Sequence, residues 1–282
     1  MPELPEVETI RMQLDRFLRG HKVIGVYVKN RKILEGDEKK LFGGKVLVVR
    51  RFGKVTVIDL DNGYSIITHV KLTGQFIYRG PNLVNFGQLS KKVVGGVPGI
   101  HTHVIFELDH GGKLFYNDVR RFGWMKVVKT EKVGDFPFIK KLGPEPLRDL
   151  TKEKFTEILS KTGRSIKVVL MDQTKIGGVG NIYANDALWL AKISPKRKAS
   201  SLTDDESGVL FNAIVEVLKR GIKYGGASEL AFVTPDGQEG KYQEHTLVYG
   251  KEGKFCLGCK KEKIKKCFLS GRGTYFCPNC QI

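Results

Sequence analysis

The apolar residues of this 282-residue chain recur with one period before about residue 134 and with another after about 150. No single sheet and no single helical bundle can accommodate both patterns. From about 22 to 133, short β-branched runs alternate with glycine turns: KVIGVYV, KVLVVRR, KVTVIDL, YSIITHV, HVIFEL, KLFYND and WMKVVK. Seven or more short strands at near-regular spacing predict a sandwich or flattened barrel rather than a parallel βαβ sheet. The stretch 80–100 is glycine-rich and reads as a long loop. Helical spacing then takes over at roughly 151–161, 165–173, 181–192 and 203–224, while 225–250 carries several glycines and no firm period. One helix precedes the strands, over 5–19. It sets Val7, Ile10, Leu14, Phe17 and Leu18 on one face, with Pro5 suited to its first turn and Gly20 to its stop.

These patterns predict an α+β multidomain protein without internal repeats. Residues 1–133 form a β-sandwich with a leading helix, and GDFPFIKKLGPEPLRD lies in an interdomain linker at 134–150. A helical domain spans 151–250, and a cysteine-bearing tail spans 251–282.

In that tail, Cys256-x-x-Cys259 and Cys277-x-x-Cys280 stand seventeen residues apart, the spacing of a zinc ribbon. Each CxxC fits a tight turn, so four thiolates can surround one Zn²⁺ tetrahedrally and leave no open position for substrate. One structural zinc is the expectation; two disulfides are the alternative. Cys267 has no partner in this pattern and reads as a small residue of the tail's loop.

Lys and Arg total 48 against 30 Asp and Glu, a formal charge of +18. An excess of that size favours a polyanionic partner, a nucleic acid or an anionic membrane surface. MPELPEVETI is acidic and holds two prolines, the reverse of a signal peptide, and no apolar run is long enough to span a bilayer. The expected setting is cytoplasmic, associated with the nucleoid, with the chain a monomer and no membrane partner.

The N-terminus carries the sharpest chemical signal. A penultimate proline favours removal of Met1, which leaves Pro2 as a free secondary amine. Such an amine attacks a sugar aldehyde carbon and forms an imine. Chain-terminal amines titrate at roughly 7.7–8.0, and the positive end of a following helix dipole pushes Pro2 toward its neutral, nucleophilic form. Glu3 and Glu6 place carboxylates beside it that can move protons. Ordinary helix capping by acidic residues is the competing reading of the same segment.

MPELPEVETI, taken with NDVRRFG at 117–123, LGPEPL at 142–147, GGVGNIYAND at 177–186 and GRGTYFCPNCQ at 271–281, resembles the formamidopyrimidine-DNA glycosylase family. The five motifs run in the same order from the first residue to the last. The resemblance implies an N-terminal β-sandwich with a leading helix, a helix–two-turn–helix domain and a C-terminal zinc finger. It implies a DNA glycosylase with AP lyase activity that removes oxidised purines, 8-oxoguanine and formamidopyrimidines, and then carries out β,δ-elimination, acting on double-stranded DNA that contains oxidised bases or abasic sites.

Residue by residue, the resemblance makes Pro2 the Schiff-base nucleophile at the sugar C1′ and Glu3 the acid that protonates the sugar. Lys54 assists β-elimination, and Arg272 grips phosphate and assists δ-elimination. His69, His101, Lys167 and Asn181 become DNA contacts. Arg120 and Phe122 enter the helix when the damaged base leaves, the aromatic unstacking a base step and the arginine meeting the orphaned partner. Leu72 stands where the family keeps a void-filling methionine, and Lys71 where it keeps a glycine. GGASELAFV replaces GGTTL and a basic residue, so Leu230 occupies the basic position; Asp186 stands where a glutamate is common. Two other readings are an endonuclease VIII-like glycosylase for oxidised pyrimidines, which lacks the RRFG wedge, and a non-catalytic zinc-ribbon DNA-binding protein.

Overall fold

Helix α1 (Leu4–Leu18) begins where Pro5, which has no amide hydrogen to place, falls in the first turn. The computed structural model describes residues 1–81, 83 and 87–282. Val7, Ile10, Leu14, Phe17 and Leu18 are all buried, as the spacing predicts. Ile10, Leu14, Phe17 and Leu18 pack into a core shared with two β-sheets.

The first sheet runs β1 (Val23–Val28), β7 (Thr102–Leu108), β8 (Lys113–Asp118), β6 (Gly74–Arg79), antiparallel throughout. The second runs β2 (Leu34–Glu35), β9 (Trp124–Lys129), β5 (Tyr64–His69), β4 (Val55–Leu60), β3 (Val46–Phe52), with only the β2–β9 pair parallel. Val104 and Phe106 from one sheet meet Val49, Ile58 and Ile66 from the other in a single apolar core. Every expected strand forms. Strands β2 and β6 are additions. Within 80–100, residues 82 and 84–86 lie outside the described residues; the described remainder holds neither helix nor strand.

After the short α2 (Pro137–Lys140), helices α3 (Lys152–Ser160), α4 (Ile166–Leu170), α5 (Asn181–Leu190) and α6 (Asp204–Lys223) follow where the helical period runs. The tail forms a hairpin of β10 (Lys265–Leu269) and β11 (Arg272–Phe276). Its connection is Ser270-Gly271, both at positive φ (47° and 70°), the geometry of a type I′ turn.

The chain divides into two compact units. One holds Met1–Lys140 with Ile222–Gln243, and the other Lys141–Gly221 with Glu244–Ile282. The segment 222–243, taken from the sequence as part of a helical domain over 151–250, is therefore a component of the N-terminal unit. Long-range hydrogen bonds hold it there: Gln75 Nε2 to the Ala231 carbonyl at 2.6 Å, and the Tyr78 amide to the Pro235 carbonyl at 2.7 Å. No helix among the described residues is long and apolar enough to cross a membrane.

Candidate active site and nucleic-acid contacts

Pro2 is buried immediately before Glu3, the N-cap of α1, while Met1 is exposed. Glu3 and Glu6 are only 4% and 2% exposed. Glu6 Oε2 accepts the Glu3 amide at 2.7 Å, and Glu6 Oε1 accepts the Ala227 amide at 2.7 Å. Both oxygens thus serve backbone donors, so Glu6 is a brace rather than a mobile proton carrier. The Ala227 segment comes close enough to require glycine beside it. Gly226 sits at φ +83°, and a Cβ there would lie 2.8 Å from Glu6 Cγ.

Lys54 lies in the turn between β3 and β4 and is buried, 4% exposed. His69, which the resemblance makes a DNA contact, lies at the end of β5. It is 3% exposed, its Nδ1 accepts the Lys71 amide at 3.0 Å, and its ring packs against Trp124 and Phe138. Burial holds its pKa down at about 3, with the positive charges of Lys71 and Lys54 pushing the same way. The imidazole is neutral and supports the chain leading into the Leu72 turn. Lys71 itself has φ +51°, a left-handed conformation that a glycine adopts without Cβ strain.

Half-buried Leu72 immediately precedes a connected polar network. The Thr73 hydroxyl donates to Asp118 Oδ1; the Arg120 amide donates to Thr73 Oγ1 at 3.0 Å, and the Gly123 amide to Asp118 Oδ2 at 2.7 Å. The Leu72 turn and the RRFG loop are therefore one polar-bonded piece. Gly123 is required because the Tyr116 hydroxyl fills the space a Cβ would take. At the loop's tip Phe122 is 57% exposed, with the Arg120 guanidinium 4.7 Å from its ring centroid. An exposed, preorganised arginine–aromatic pair can enter a base stack without refolding. His101 is half-buried just before β7, and its carbonyl accepts the Asp118 amide at 2.9 Å. Lys29, Lys32, His103 and Arg121 line a basic hollow of about 600 Å³ that sequence reasoning missed. Leu230 is 62% exposed in the turn after Ser228.

The second unit carries its own basic pocket, about 220 Å³, lined by Arg164, Lys167, Asp172, Ser270 and Arg272 among others. The exposed Arg272 opens β11 directly after the Ser270-Gly271 turn. Lys167, which the resemblance makes a DNA contact, lines this pocket with its ammonium tied to the tail. It is 1% exposed, and its ammonium donates to the Gly273 carbonyl at 2.8 Å and to Thr274 Oγ1 at 2.7 Å. It holds the strand that presents Arg272. Asn181 is the first residue of α5, after Gly180. Asp186 is fully buried and accepts the amides of Leu247, Val248 and Tyr249 at 3.0–3.1 Å, which fixes the chain entering the tail.

The four cysteines of the tail converge. All four sulfurs lie within 4.8 Å of one another; Cys256–Cys280 is 3.8 Å and Cys259–Cys277 is 3.7 Å. Sulfurs at about 2.3 Å from a tetrahedral ion stand roughly 3.8 Å apart, so the set fits a metal ion and is far too open for disulfides. The amides of Glu262 and Lys261 hold the Cys259 thiol down at about 6, whereas burial and its sulfur neighbours push Cys280 up to about 12. A cation is what would keep all four as thiolates together. Cys267 stands apart on β10.

Two family models match the chain: the formamidopyrimidine-DNA glycosylase N-terminal domain over residues 1–125, and the formamidopyrimidine-DNA glycosylase H2TH domain over 142–232. The formamidopyrimidine-DNA glycosylase of Pelotomaculum thermopropionicum is 41% identical, with 100% of this chain and 99% of that protein covered. Two solved complexes of Lactococcus lactis Fpg are each 33% identical with a TM-score of 0.85, covering 99% of both chains. One holds DNA containing an abasic site, the other DNA containing N7-benzyl-Fapy-dG.

Proposed function

The chain belongs to the formamidopyrimidine-DNA glycosylase family, and from that premise we propose how its own residues carry out the reaction. It is a base-excision repair glycosylase acting on duplex DNA, an enzyme of the kind whose relatives bind abasic-site and formamidopyrimidine DNA. The observation that carries the residue assignment is the buried Pro2 at the head of α1, next to a carboxylate and braced through Glu6.

Once Met1 is removed, the Pro2 nitrogen attacks C1′ of a flipped nucleotide, and the bond from C1′ to the base breaks. Glu3 supplies the proton that opens the sugar, giving an iminium at C1′. Lys54 assists removal of the C2′ proton, which expels the 3′-phosphate in β-elimination. Arg272, with two parallel donors for phosphate geometry, grips the backbone and assists δ-elimination. Asn181 offers a second phosphate seat at the start of α5, while Lys167 acts by positioning the Arg272 strand. His101 and the hollow around Lys29, Lys32 and Arg121 suit backbone phosphates of the bound duplex.

The cysteine tetrad binds one structural zinc, which supplies fold to the tail and no open coordination position. The enzyme works where the chromosome is, in the cytoplasm and its nucleoid.

Oxidised purines are the proposed substrates because the chain has the RRFG wedge. Cytosine opposite the lost base shows two acceptors, N3 and O2, that suit the guanidinium of Arg120; adenine shows a donor at N6. A good bidentate contact is worth about 1–3 kcal/mol, or roughly 5–150-fold. Excision of 8-oxoguanine should therefore run faster opposite cytosine than opposite adenine, with Arg120→Ala erasing most of the difference. Equal rates in the unmodified protein would remove Arg120 as the reader.

A further inference from the structure

His21, Asp109 and His110 form a second cluster of metal-competent side chains in the N-terminal unit. His21 follows the C-terminus of α1, about 22 Å along the helix from the end that carries Pro2. One nitrogen from each imidazole and one oxygen of Asp109 lie within 4.8 Å of one another. His21 Nδ1 is 2.7 Å from Asp109 Oδ1, and His110 Nδ1 is 3.3 Å from the same oxygen. Ligands bonded at about 2.0–2.1 Å to a tetrahedral ion stand roughly 3.3–3.4 Å apart. The His110 pair already has that spacing, and the His21 pair needs only a small opening.

The backbone fixes this arrangement. The Asp109 amide donates to the Lys22 carbonyl at 3.0 Å, and the Leu108 amide to the Gly112 carbonyl at 2.8 Å. The turn between β7 and β8 places His110 at φ +54° and Gly111 at φ +77°. Asparagine or glycine usually occupies the first such position, because other side chains strain there. In this conformation the His110 ring lies edge-on to His21 at 5.8 Å and faces Asp109, although its side chain is 76% exposed. A hydrogen bond between His21 and Asp109 accounts for two of the three side chains. It does not account for a strained, exposed histidine completing the set.

We propose that His21, Asp109 and His110 bind a second divalent ion, separate from the ion of the cysteine tail. Two imidazoles and one carboxylate suit zinc and its transition-metal neighbours better than magnesium or calcium. Water fills the remaining coordination. Binding replaces the hydrogen bond between His21 and Asp109, and the neutral His21 ring then carries its proton on Nε2. The ion ties the segment after α1 to the β7–β8 turn, anchoring the helix at the end opposite Pro2.

The test is calorimetric titration of Zn²⁺ into the full-length protein whose cysteine site is already filled, with imidazole NMR of the same samples. One further equivalent should bind, shifting the His21 and His110 ring signals. His110→Ala, at an exposed turn position, should weaken that equivalent at least tenfold and leave 8-oxoguanine excision unchanged. Asp109→Asn, which keeps the side chain's shape, should weaken it similarly. The proposal is overturned if the unmodified protein takes up no further equivalent, or if both variants bind it with undiminished affinity.

Discussion

The carboxylate of Glu6 accepts the Ala227 amide at 2.7 Å across 221 residues of sequence, while its other oxygen holds the Glu3 amide at 2.7 Å. One side chain therefore sets the position of the N-terminal segment against the Gly226–Ala227 turn. Glu6→Gln replaces one of the two acceptors with a donor facing a buried N–H, an arrangement that costs about 1–3 kcal/mol. A displacement of about 1 Å at a reacting group can cost on the order of 10²-fold in rate. Single-turnover excision by Glu6→Gln should fall by that order while substrate binding changes little. Excision at the unmodified rate would show that the brace does not position Pro2.

Burial of His69 gives the N-terminal unit an acid-side weakness. The ring is neutral in the folded protein, with a pKa of about 3 against 6.5 for an exposed histidine. The folded state therefore resists protonation. The contribution is complete above pH 6.5 and is lost as pH falls toward 3, by about 1.4 kcal/mol per unit. His69→Phe, which keeps the contacts with Trp124 and Phe138, should flatten the stability profile between pH 6 and 4. Thermal melts over that range test this; parallel slopes for the two proteins would refute it.

The cysteine tetrad should govern Arg272 without governing the N-terminal unit. Cys256 and Cys277 belong to a small core with Val248 and Ile264, too little apolar surface to hold the tail's fold alone. Chelation or Cys277→Ala should lower affinity for abasic-site duplex at least tenfold, as the Arg272 hairpin loses its support. The melting transition of the β-sandwich should persist. Full affinity in a metal-free preparation, established by elemental analysis, would contradict the assignment.

Much of this was legible from residue patterns. The apolar face of α1 and the strand positions follow from hydrophobic period, and the CxxC pairs fixed the tetrad because their spacing is local. Strand β6 was hidden: it opens with glycine and is buried along most of its length, so it shows no alternation. The burial of His69 and Lys167, which the resemblance makes DNA contacts, was not legible, since sequence gives a polar residue's type and not its partners. Tertiary neighbours decide, here the Lys71 amide for one and the Gly273 carbonyl for the other. The return of 222–243 to the first unit was equally hidden, because glycine-rich chain has no period and its partners lie far away in sequence, Gln75 from Ala231 by 156 residues and Gln13 from Asp236 by 223. At Lys71, by contrast, the resemblance marked a departure from glycine, and the left-handed backbone there is one that glycine adopts without strain.

The central claim is that the Pro2 amine forms the covalent bond to DNA. Its most direct measurement is borohydride trapping on duplex carrying 8-oxoguanine or an abasic site, with the N-terminus free or acetylated. Pro2→Gly is a weaker probe, since glycine also offers a terminal amine. The free protein should give a covalent adduct whose DNA maps to Pro2, and acetylation should abolish it while duplex binding continues. Trapping that survives acetylation would place the nucleophile elsewhere and contradict the account.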